Sequence, residues 1–289
     1  MDQREFKGIF DPRREPPPPL RRIHELMIKD SLKLRTLLSL GALIQLALLL
    51  LLPYRLAILP AVLLTLHAFA STLGHSFLGT ALENPYIRHI VPGRTSAQIP
   101  SPFTGQHGPT PSASSVVVFH LGVAFNHPLG LACPGGREVT AHFFSMLDAL
   151  AARGRDEYGL LGSSRWQGTA RASHNTMLFV MYFKTLAGLH KFAHDVEHRQ
   201  GWEFLERIRA RGDRHITAFH ETFEVPAGGW ETIYLDAEPV LLGDTDVKVL
   251  GLDGKWIWVR SLVKAEGPSM KGLVERMRRV PGQLFAKAM

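Results

Sequence analysis

Cysteine is almost missing from this chain, with Cys133 as its only occurrence in 289 residues. One thiol cannot form an intrachain disulfide or a cysteine-rich zinc site, so a reducing compartment and a small, buried, inert side chain are the simplest interpretation. The sequence also lacks a glycine-rich dinucleotide fingerprint and a phosphate-binding P-loop. These absences argue against a disulfide scaffold and against bound NAD, a classical FAD site or ATP.

Charge is missing from two long stretches. Residues 36–52 contain no charged side chain, and neither do residues 56–73, which follow the tripeptide 53–55. Each run is slightly shorter than the roughly 20 apolar residues that cross a bilayer. We predict a helical hairpin over residues 36–73 that either spans a membrane twice or dips into it and returns. A buried hairpin in a soluble fold is the alternative, which the lack of a polar face disfavours.

Basic residues flank the predicted hairpin: Lys29, Lys33 and Arg35 precede it, and Arg88 and Arg94 follow it. Positive flanks favour the cytoplasmic side, so we expect a membrane-anchored protein whose soluble part faces the cytoplasm, with the endoplasmic reticulum as the candidate membrane. The net charge of +7 has the same explanation, because basic residues cluster near the apolar segment and in the last twenty residues. An anionic membrane surface fits that placement better than nucleic acid does.

Composition divides the chain into four parts. Residues 1–35 contain a proline run among arginines and are expected to be disordered, and residues 36–73 form the hairpin. Residues 93–243 form a folded domain. Residues 244–289 form a basic extension that begins with a predicted β-hairpin around the dipeptide 253–254, and its end is suited to lie on the membrane or to be a solvated tail.

The folded domain alternates strand and helix signals. Strand signals cover residues 115–125, 159–166, 176–183 and 216–225, and helix signals cover residues 137–153 and 186–208. The second helix is predicted as one piece or two, and a further strand is expected at 231–235. This order predicts the α+β class and a ferredoxin-like fold, an antiparallel sheet with helices on one face. Such a sheet leaves its other face uncovered, and pairing two such faces builds a barrel, so we expect a homodimer.

Two titratable side chains are adjacent on the last of these strands. Successive side chains of a strand point to opposite faces, so His220 shares a face with Ile216, and Glu221 shares the other with Phe219 and Phe223. One of the two must therefore line whatever cavity the sheet covers.

Four segments carry a resemblance to a known family. They are the apolar third strand, GLLGSSRW (159–166), HRQGWEF (198–204) and, most specifically, HETFEVPAGGWETIY (220–234). Together they resemble the DUF4188 family of monooxygenase-like proteins, which belongs to the dimeric α/β-barrel superfamily with the antibiotic-biosynthesis monooxygenases. The similarity covers residues 93–243. In one departure, residues 236–239 read Asp-Ala-Glu-Pro where many relatives have Asn-Met-Pro, so an Asn that helps to hold substrate or oxygen in some relatives is absent.

The resemblance implies a function in secondary metabolism. Relatives with a similar apolar extension occur in fungal biosynthetic clusters, where some act as monooxygenases on polyketide or terpenoid intermediates. It implies dioxygen and a lipophilic small molecule as substrates, and a reaction without a cofactor. In the wider superfamily a single His ligates haem iron in some members, and the sequence leaves that alternative open.

A cofactor-free monooxygenation needs a base whose pKa lies near the working pH, and imidazole is the first choice. We therefore predict His220 or His198 as the base. Tyr234 is predicted to donate a hydrogen bond to the developing oxyanion, and Glu221 to orient a histidine or to tie strands at the dimer interface.

Aromatic residues are predicted to wall the substrate. Trp166 and Trp202 are the main candidates, and Phe219 and His174 are further candidates for substrate contact. Each of these residues also has a purely structural interpretation as part of the core.

Residues 194–198 match the H-x-x-E-H pattern of zinc proteases. The pattern is short and no third helical carboxylate ligand stands out, so we expect no metal. Two other functions stay open. One is a non-oxidative cyclisation or dehydration in the same fold, and the other is a non-catalytic, membrane-anchored binding protein.

Overall fold

The computed structural model describes residues 6–17, 32, 34–77, 87–168, 176–251 and 253–277. The chain begins with an apolar helical hairpin, made of α1 (Leu34–Leu51), α2 (Tyr54–Ala57) and α3 (Leu59–Phe77). Neither α1 nor α3 has a buried residue, and Gln45 ties the hairpin by donating a hydrogen bond of 3.0 Å to the Ala57 carbonyl. By length and composition, Leu34–Leu51 and Tyr54–Phe77 can each cross a membrane. The predicted hairpin helices are present, and their insertion stays a prediction.

A four-stranded antiparallel sheet forms the centre of the domain. Its strands are β2 (Val116–Phe125), β3 (Leu160–Gln167), β4 (Met177–Phe183) and β5 (Ile216–Val225), in the order β3-β4-β2-β5. The helix α4 (Gly136–Glu157) connects β2 to β3, and the helices α5 (Leu186–Ala193) and α6 (Val196–Ala210) connect β4 to β5. This topology confirms the predicted α+β, ferredoxin-like arrangement, and the predicted second helix is two helices.

The main core lies between the helices and one face of this sheet, here called the inner face. Because alternate residues of a strand point the same way, the odd-numbered residues of β2 and β4 are the ones that enter this core. They meet apolar side chains of all three helices. Core members include Phe119, Leu121, Phe179, Met181, Leu147, Leu150, Leu189 and Phe192.

The outer face of the sheet is partly covered by the same chain, contrary to the expectation of an uncovered face. The hairpin of β7 (Asp246–Leu250) and β8 (Trp256–Arg260), predicted from sequence, packs there together with Trp230. It buries side chains such as Val180 and Tyr182. Apolar β-branched strands need a partner surface, and this hairpin finds one inside its own chain. The homodimer stays a prediction, with less of the outer face left for it.

A second sheet of three strands borders this layer. Its strands β1 (Val91–Ala97), β6 (Tyr234–Ala237) and β9 (Leu262–Lys264) are arranged in the order β6-β1-β9. A last short helix, α7 (Leu273–Arg276), follows β9. The second sheet joins residues from before and after the ferredoxin-like unit, so both flanks pack against each other.

Part of the N-terminal segment departs from the expected disorder. Gly8 forms a β-bridge with Val263, and Arg13 forms one with Trp258. The Arg13 guanidinium also donates hydrogen bonds of 2.9 and 3.0 Å to the carboxylate of Asp246, which is only 3% exposed. A buried carboxylate needs such a partner, which explains why this segment is fixed to the domain. Residues 18–31 and 33 lie outside the described part of the chain.

Candidate functional site

A cavity of about 750 Å³ lies between the inner face of the sheet at β5 and the helices α4 and α6. Its walls are mainly apolar, and several histidines project into it. The lining residues include Leu121, Val123, Val139, Phe143, Met146, Leu205, Trp202, His142, His194, His198 and His220. A concave, largely apolar site with a few convergent polar groups is typical of small-molecule binding. We call it the histidine cavity.

Aromatic neighbours hold three of these histidines in place. The ring of His142, on α4, lies 5.0 Å from that of Phe204. The ring of His198, on α6, meets that of Phe192 edge-on at 5.4 Å, and the ring of His220 on β5 lies 5.7 Å from that of Phe119. Because three different elements supply the imidazoles, the cavity exists only in the folded domain.

Burial lowers the pKa of His198 below its ordinary value of 6.5. The nearby imidazoles of His220 and His194 lower the same pKa, while a hydrogen bond to the Ala193 backbone opposes the shift. A neutral imidazole with a free lone pair can accept a proton. His198 is therefore held in the form that a general base requires.

The break between α5 and α6 sets the position of His198. Asp195 caps α6 by accepting a hydrogen bond of 2.8 Å from the Val196 amide, and its carboxylate is ion-paired with Arg153 at 2.9 Å. It also accepts a hydrogen bond from the Tyr158 hydroxyl, which is the main cause of the lowered pKa of Asp195. Three contacts thus fix the first turn of α6, on which His198 lies.

The same break counts against a zinc protease. His194 and His198 lie on opposite sides of it, so they do not share one helix face, and Glu197 is ion-paired with Arg153 at 2.9 Å. Among the described residues, no group of three or more metal-ligating side chains is placed to hold a metal ion.

Three of the predicted site residues line the histidine cavity: His198, His220 and Trp202, of which Trp202 is 51% exposed. Phe219 borders the cavity too. However, a Cβ at Gly122, its cross-strand partner, would overlap the Phe219 ring, so this ring lies on the outer face of the sheet. Phe219 therefore borders the cavity through its backbone, and its ring points away from the cavity.

Glu221 lies on the outer face of the sheet, away from the histidine cavity. It pairs across the strands with His120, and its carboxylate lies 3.6 Å from Nδ1 of that residue. The sheet separates it from His198 and His220. Its contact joins β5 to β2 within one chain, and the predicted role at a dimer interface stays a prediction.

Tyr234 and Trp166 are also away from the cavity. The Tyr234 hydroxyl accepts a hydrogen bond of 3.0 Å from the Gly243 amide in the second layer, and burial raises the pKa of Tyr234 to about 12. Trp166 lies on the outer face of β3, at the opposite edge of the sheet from β5. Neither can contact a substrate in the histidine cavity. His174 lies outside the described residues.

The sequence interpretation missed His142 as a cavity residue. A usable signal was present, because Val139, His142, Phe143 and Met146 follow the spacing of one face of the predicted helix. A histidine on such a face marks a polar group directed at the core. His194 also borders the cavity, and its side chain is exposed.

In a comparison with known protein families, residues 116–242 match a family model described as monooxygenase af470-like. Monooxygenase af470 of Aspergillus fumigatus is 37% identical over 281 residues, which cover 96% of this chain and 99% of that protein. These matches confirm the monooxygenase-like family that the sequence motifs predicted.

Solved structures give weaker matches. An aldoxime dehydratase in complex with butyraldoxime has a TM-score of 0.37 and 14% identity, over 51% of this chain and 38% of its own. SnoaB of Streptomyces nogalater, a cofactor-independent oxygenase, has a TM-score of 0.24 and 14% identity, over 38% of this chain and 92% of its own. At these values, nothing about the chemistry of this chain follows from either structure.

Proposed function

The chain belongs to the monooxygenase af470-like family, and on that premise we propose that the histidine cavity is the active site in which a lipophilic small molecule is oxidised by dioxygen. One observation carries the proposal. A mainly apolar cavity of about 750 Å³ contains His198, whose pKa is lowered by burial, opposite His220 on the sheet. We propose a polyketide or terpenoid intermediate of secondary metabolism as the substrate class.

The proposed reaction uses no cofactor. His198 removes a proton from an activated CH₂ group of the substrate, and the resulting carbanion transfers one electron to dioxygen. The substrate radical and superoxide combine to a peroxide, which takes up a proton and then loses water to leave a carbonyl group. A CH₂ group and O₂ thus become a C=O group and H₂O, and the substrate supplies all the electrons.

The other groups of the cavity support this step. His220 comes from the opposite wall, where a ring N–H is suited to donate a hydrogen bond to the substrate anion, the role that the sequence predicted for Tyr234. Apolar side chains such as Val139, Phe143 and Met146 lower the polarity around the carbanion, which strengthens these electrostatic contacts.

The apolar hairpin supports a membrane location for the reaction. A lipophilic substrate partitions into lipid, and an enzyme anchored there meets it at high local concentration. We propose that α1 and α3 insert into the membrane and that the domain faces the cytoplasm, with the endoplasmic reticulum as the membrane and a homodimer as the assembly.

Isotope labelling tests the proposed function and reveals the product at the same time. The gene is deleted in its source organism, and the wild-type chain is restored under ¹⁸O₂. We expect a metabolite that disappears on deletion and returns carrying one labelled oxygen, because one atom of dioxygen enters the product and the other leaves as water. Mass spectrometry of the extracted metabolites measures this.

Three outcomes would contradict this proposal. An unlabelled product would indicate non-oxidative cyclisation or dehydration. Full restoration by a His198→Ala, His220→Ala double variant would indicate a binding protein. An absorption band at about 400 nm in the purified protein would assign a histidine to haem iron instead of proton transfer.

The lowered pKa of His198 predicts an acid-shifted pH profile. A base works in its neutral form, so kcat/KM should hold its plateau below pH 6.5 and fall only at the lower pKa of His198. The unfolded chain takes up a proton at its ordinary, higher pKa, so stability should also decrease as the pH falls from about 6.5 through the folded pKa. A pH series of kcat/KM and of unfolding midpoints measures both. If kcat/KM already begins to fall above pH 6.5 as the pH is lowered, His198 is not the base.

A further inference from the structure

A second cavity, of about 970 Å³, shares no lining residue with the histidine cavity. Its walls come from five parts of the chain: the N-terminal segment, the residues just after the hairpin, the end of α4 with the start of β3, residues 238–239 just after β6, and the β7–β8 layer with Asp244 before it. Its charged lining residues are Arg13, Arg88, Arg155, Arg165, Arg260, Glu238, Asp244 and Asp246. We call it the arginine cavity.

The arginine cavity has an excess of positive charge. Among the described lining residues, five arginines against three carboxylates give a net charge of +2, with His89 counted as neutral. The histidine cavity, by comparison, has one arginine and one glutamate in its wall, Arg199 and Glu203, and is neutral. The two cavities therefore suit different ligands, an apolar one in the histidine cavity and an anionic one in the arginine cavity.

Two of the arginines in this wall are paired with carboxylates of the same wall. The carboxylate of Asp246 is bound by Arg13, and that of Asp244 by Arg260. Arg155 donates hydrogen bonds of 2.7 and 3.2 Å to the backbone carbonyls of Leu161 and Asp246, which carry no net charge. The guanidinium charge of Arg155 is therefore without a dedicated carboxylate in the described chain.

Arg88 supplies an accessible anion-binding group. Its side chain is exposed, and its Nε donates a hydrogen bond of 2.8 Å to Nε2 of His89. Its two terminal nitrogens have no partner among the described residues. A guanidinium with free terminal nitrogens matches two oxygens of a phosphate group.

The position of the cavity in the chain favours lipid headgroups as the source of an anionic ligand. Pro17, the last described residue of the N-terminal segment, and Arg88 both line the cavity, so the chain leaves and re-enters the domain there on its way to and from the hairpin. Ten peptide units separate Phe77, at the end of α3, from Ile87, and they reach at most about 35 Å. A hairpin inserted in a bilayer therefore keeps the arginine cavity close to the lipid headgroups.

We propose that the arginine cavity binds the phosphate headgroup of an anionic glycerophospholipid, with Arg88 as the first contact at its mouth. This inference rests on the membrane insertion of the hairpin in the proposed function. It gives the domain a preferred orientation on the bilayer, because one face carries both the chain connections and the phosphate site.

Titration of the full-length protein in dodecyl maltoside micelles tests the site. Calorimetry would compare dihexanoyl phosphatidic acid, dihexanoyl phosphatidylcholine and inorganic phosphate. We expect phosphatidic acid to bind about tenfold or more tightly than either of the others, and Arg88→Glu to weaken its binding by about tenfold or more through charge repulsion. Arg137→Glu is the matched control. It makes the same charge change at an exposed site outside the cavities, where the start of α4 favours an acidic side chain, and should leave binding unchanged.

The proposal would be overturned by equal binding of the two lipids, or by an Arg88→Glu variant that binds like the wild type. Inorganic phosphate that binds as tightly as phosphatidic acid would indicate a soluble phosphorylated ligand and would also overturn it. His198→Ala should keep the lipid selectivity. Failure of the proposed oxidation can therefore be distinguished from failure of the proposed lipid site. Flotation of the full-length protein with phosphatidylcholine liposomes tests hairpin insertion separately.

Discussion

Replacing His198 with alanine is expected to lower kcat/KM by about 10²- to 10⁴-fold, the range for loss of a general base. The side chain lies in the wall of the histidine cavity, and burial keeps it neutral and ready to accept a proton. The measurement is steady-state oxygen consumption, with the precursor that accumulates in the deletion strain as the substrate. Partial recovery on addition of free imidazole would show that the missing group is the proton acceptor.

His190→Ala is the matched control for this variant. His190 is an exposed histidine on α5 that does not line the cavity, so its loss should leave kcat/KM within about twofold of the wild type. If both variants are equally active, His198 is not the base. If kcat/KM then falls strongly in His220→Ala alone, His220 is the base.

Replacing Phe192 with alanine is expected to destabilise the domain by about 3–5 kcal/mol, the usual cost of removing a buried phenyl ring. Phe192 is 1% exposed, and its ring contacts those of Tyr158, Phe183 and His198. It fills the space between α5, the sheet and the first turn of α6. Loss of the ring removes packing and also the surface that orients His198. Urea unfolding followed by near-ultraviolet circular dichroism measures the change.

Two further variants test whether the lost stability comes from the buried packing of the Phe192 ring. Phe103→Ala makes the same substitution at a side chain that is 87% exposed, and it should change stability by less than about 0.5 kcal/mol. Phe192→Leu keeps most of the apolar volume and should recover a large part of the lost stability. A Phe192→Ala protein as stable as Phe103→Ala would show that the α5–α6 junction is not part of the cooperative core.

Local patterns in the sequence were sufficient to predict the order of the elements in the ferredoxin-like unit and the hairpin. The β-branched strands, the apolar helix face of α4 and the two uncharged runs each depend on neighbours a few residues away, and they predicted the ferredoxin-like unit and the hairpin helices. The alternation of a strand also separated His220 from Glu221 correctly, since the two side chains do lie on opposite faces of β5.

Tertiary packing decided which of those faces is the site. The helices cover the inner face, so His220 lines one cavity with His198 and His142 there, while Glu221 contacts His120 on the outer face. The periodicity of a strand is a local property, whereas the choice of the covered face depends on contacts between distant segments. That choice could not be read from the strand alone.

The sequence by itself determined the family, the order of the helices and strands in the ferredoxin-like unit, and the histidines from which a base can be chosen. Only the tertiary structure removed Tyr234 and Trp166 from the site, added His142, and covered part of the outer face with β7 and β8. The physical reason is that motifs record which side chains a segment carries. Burial of apolar surface between segments far apart in the chain decides which of those side chains meet.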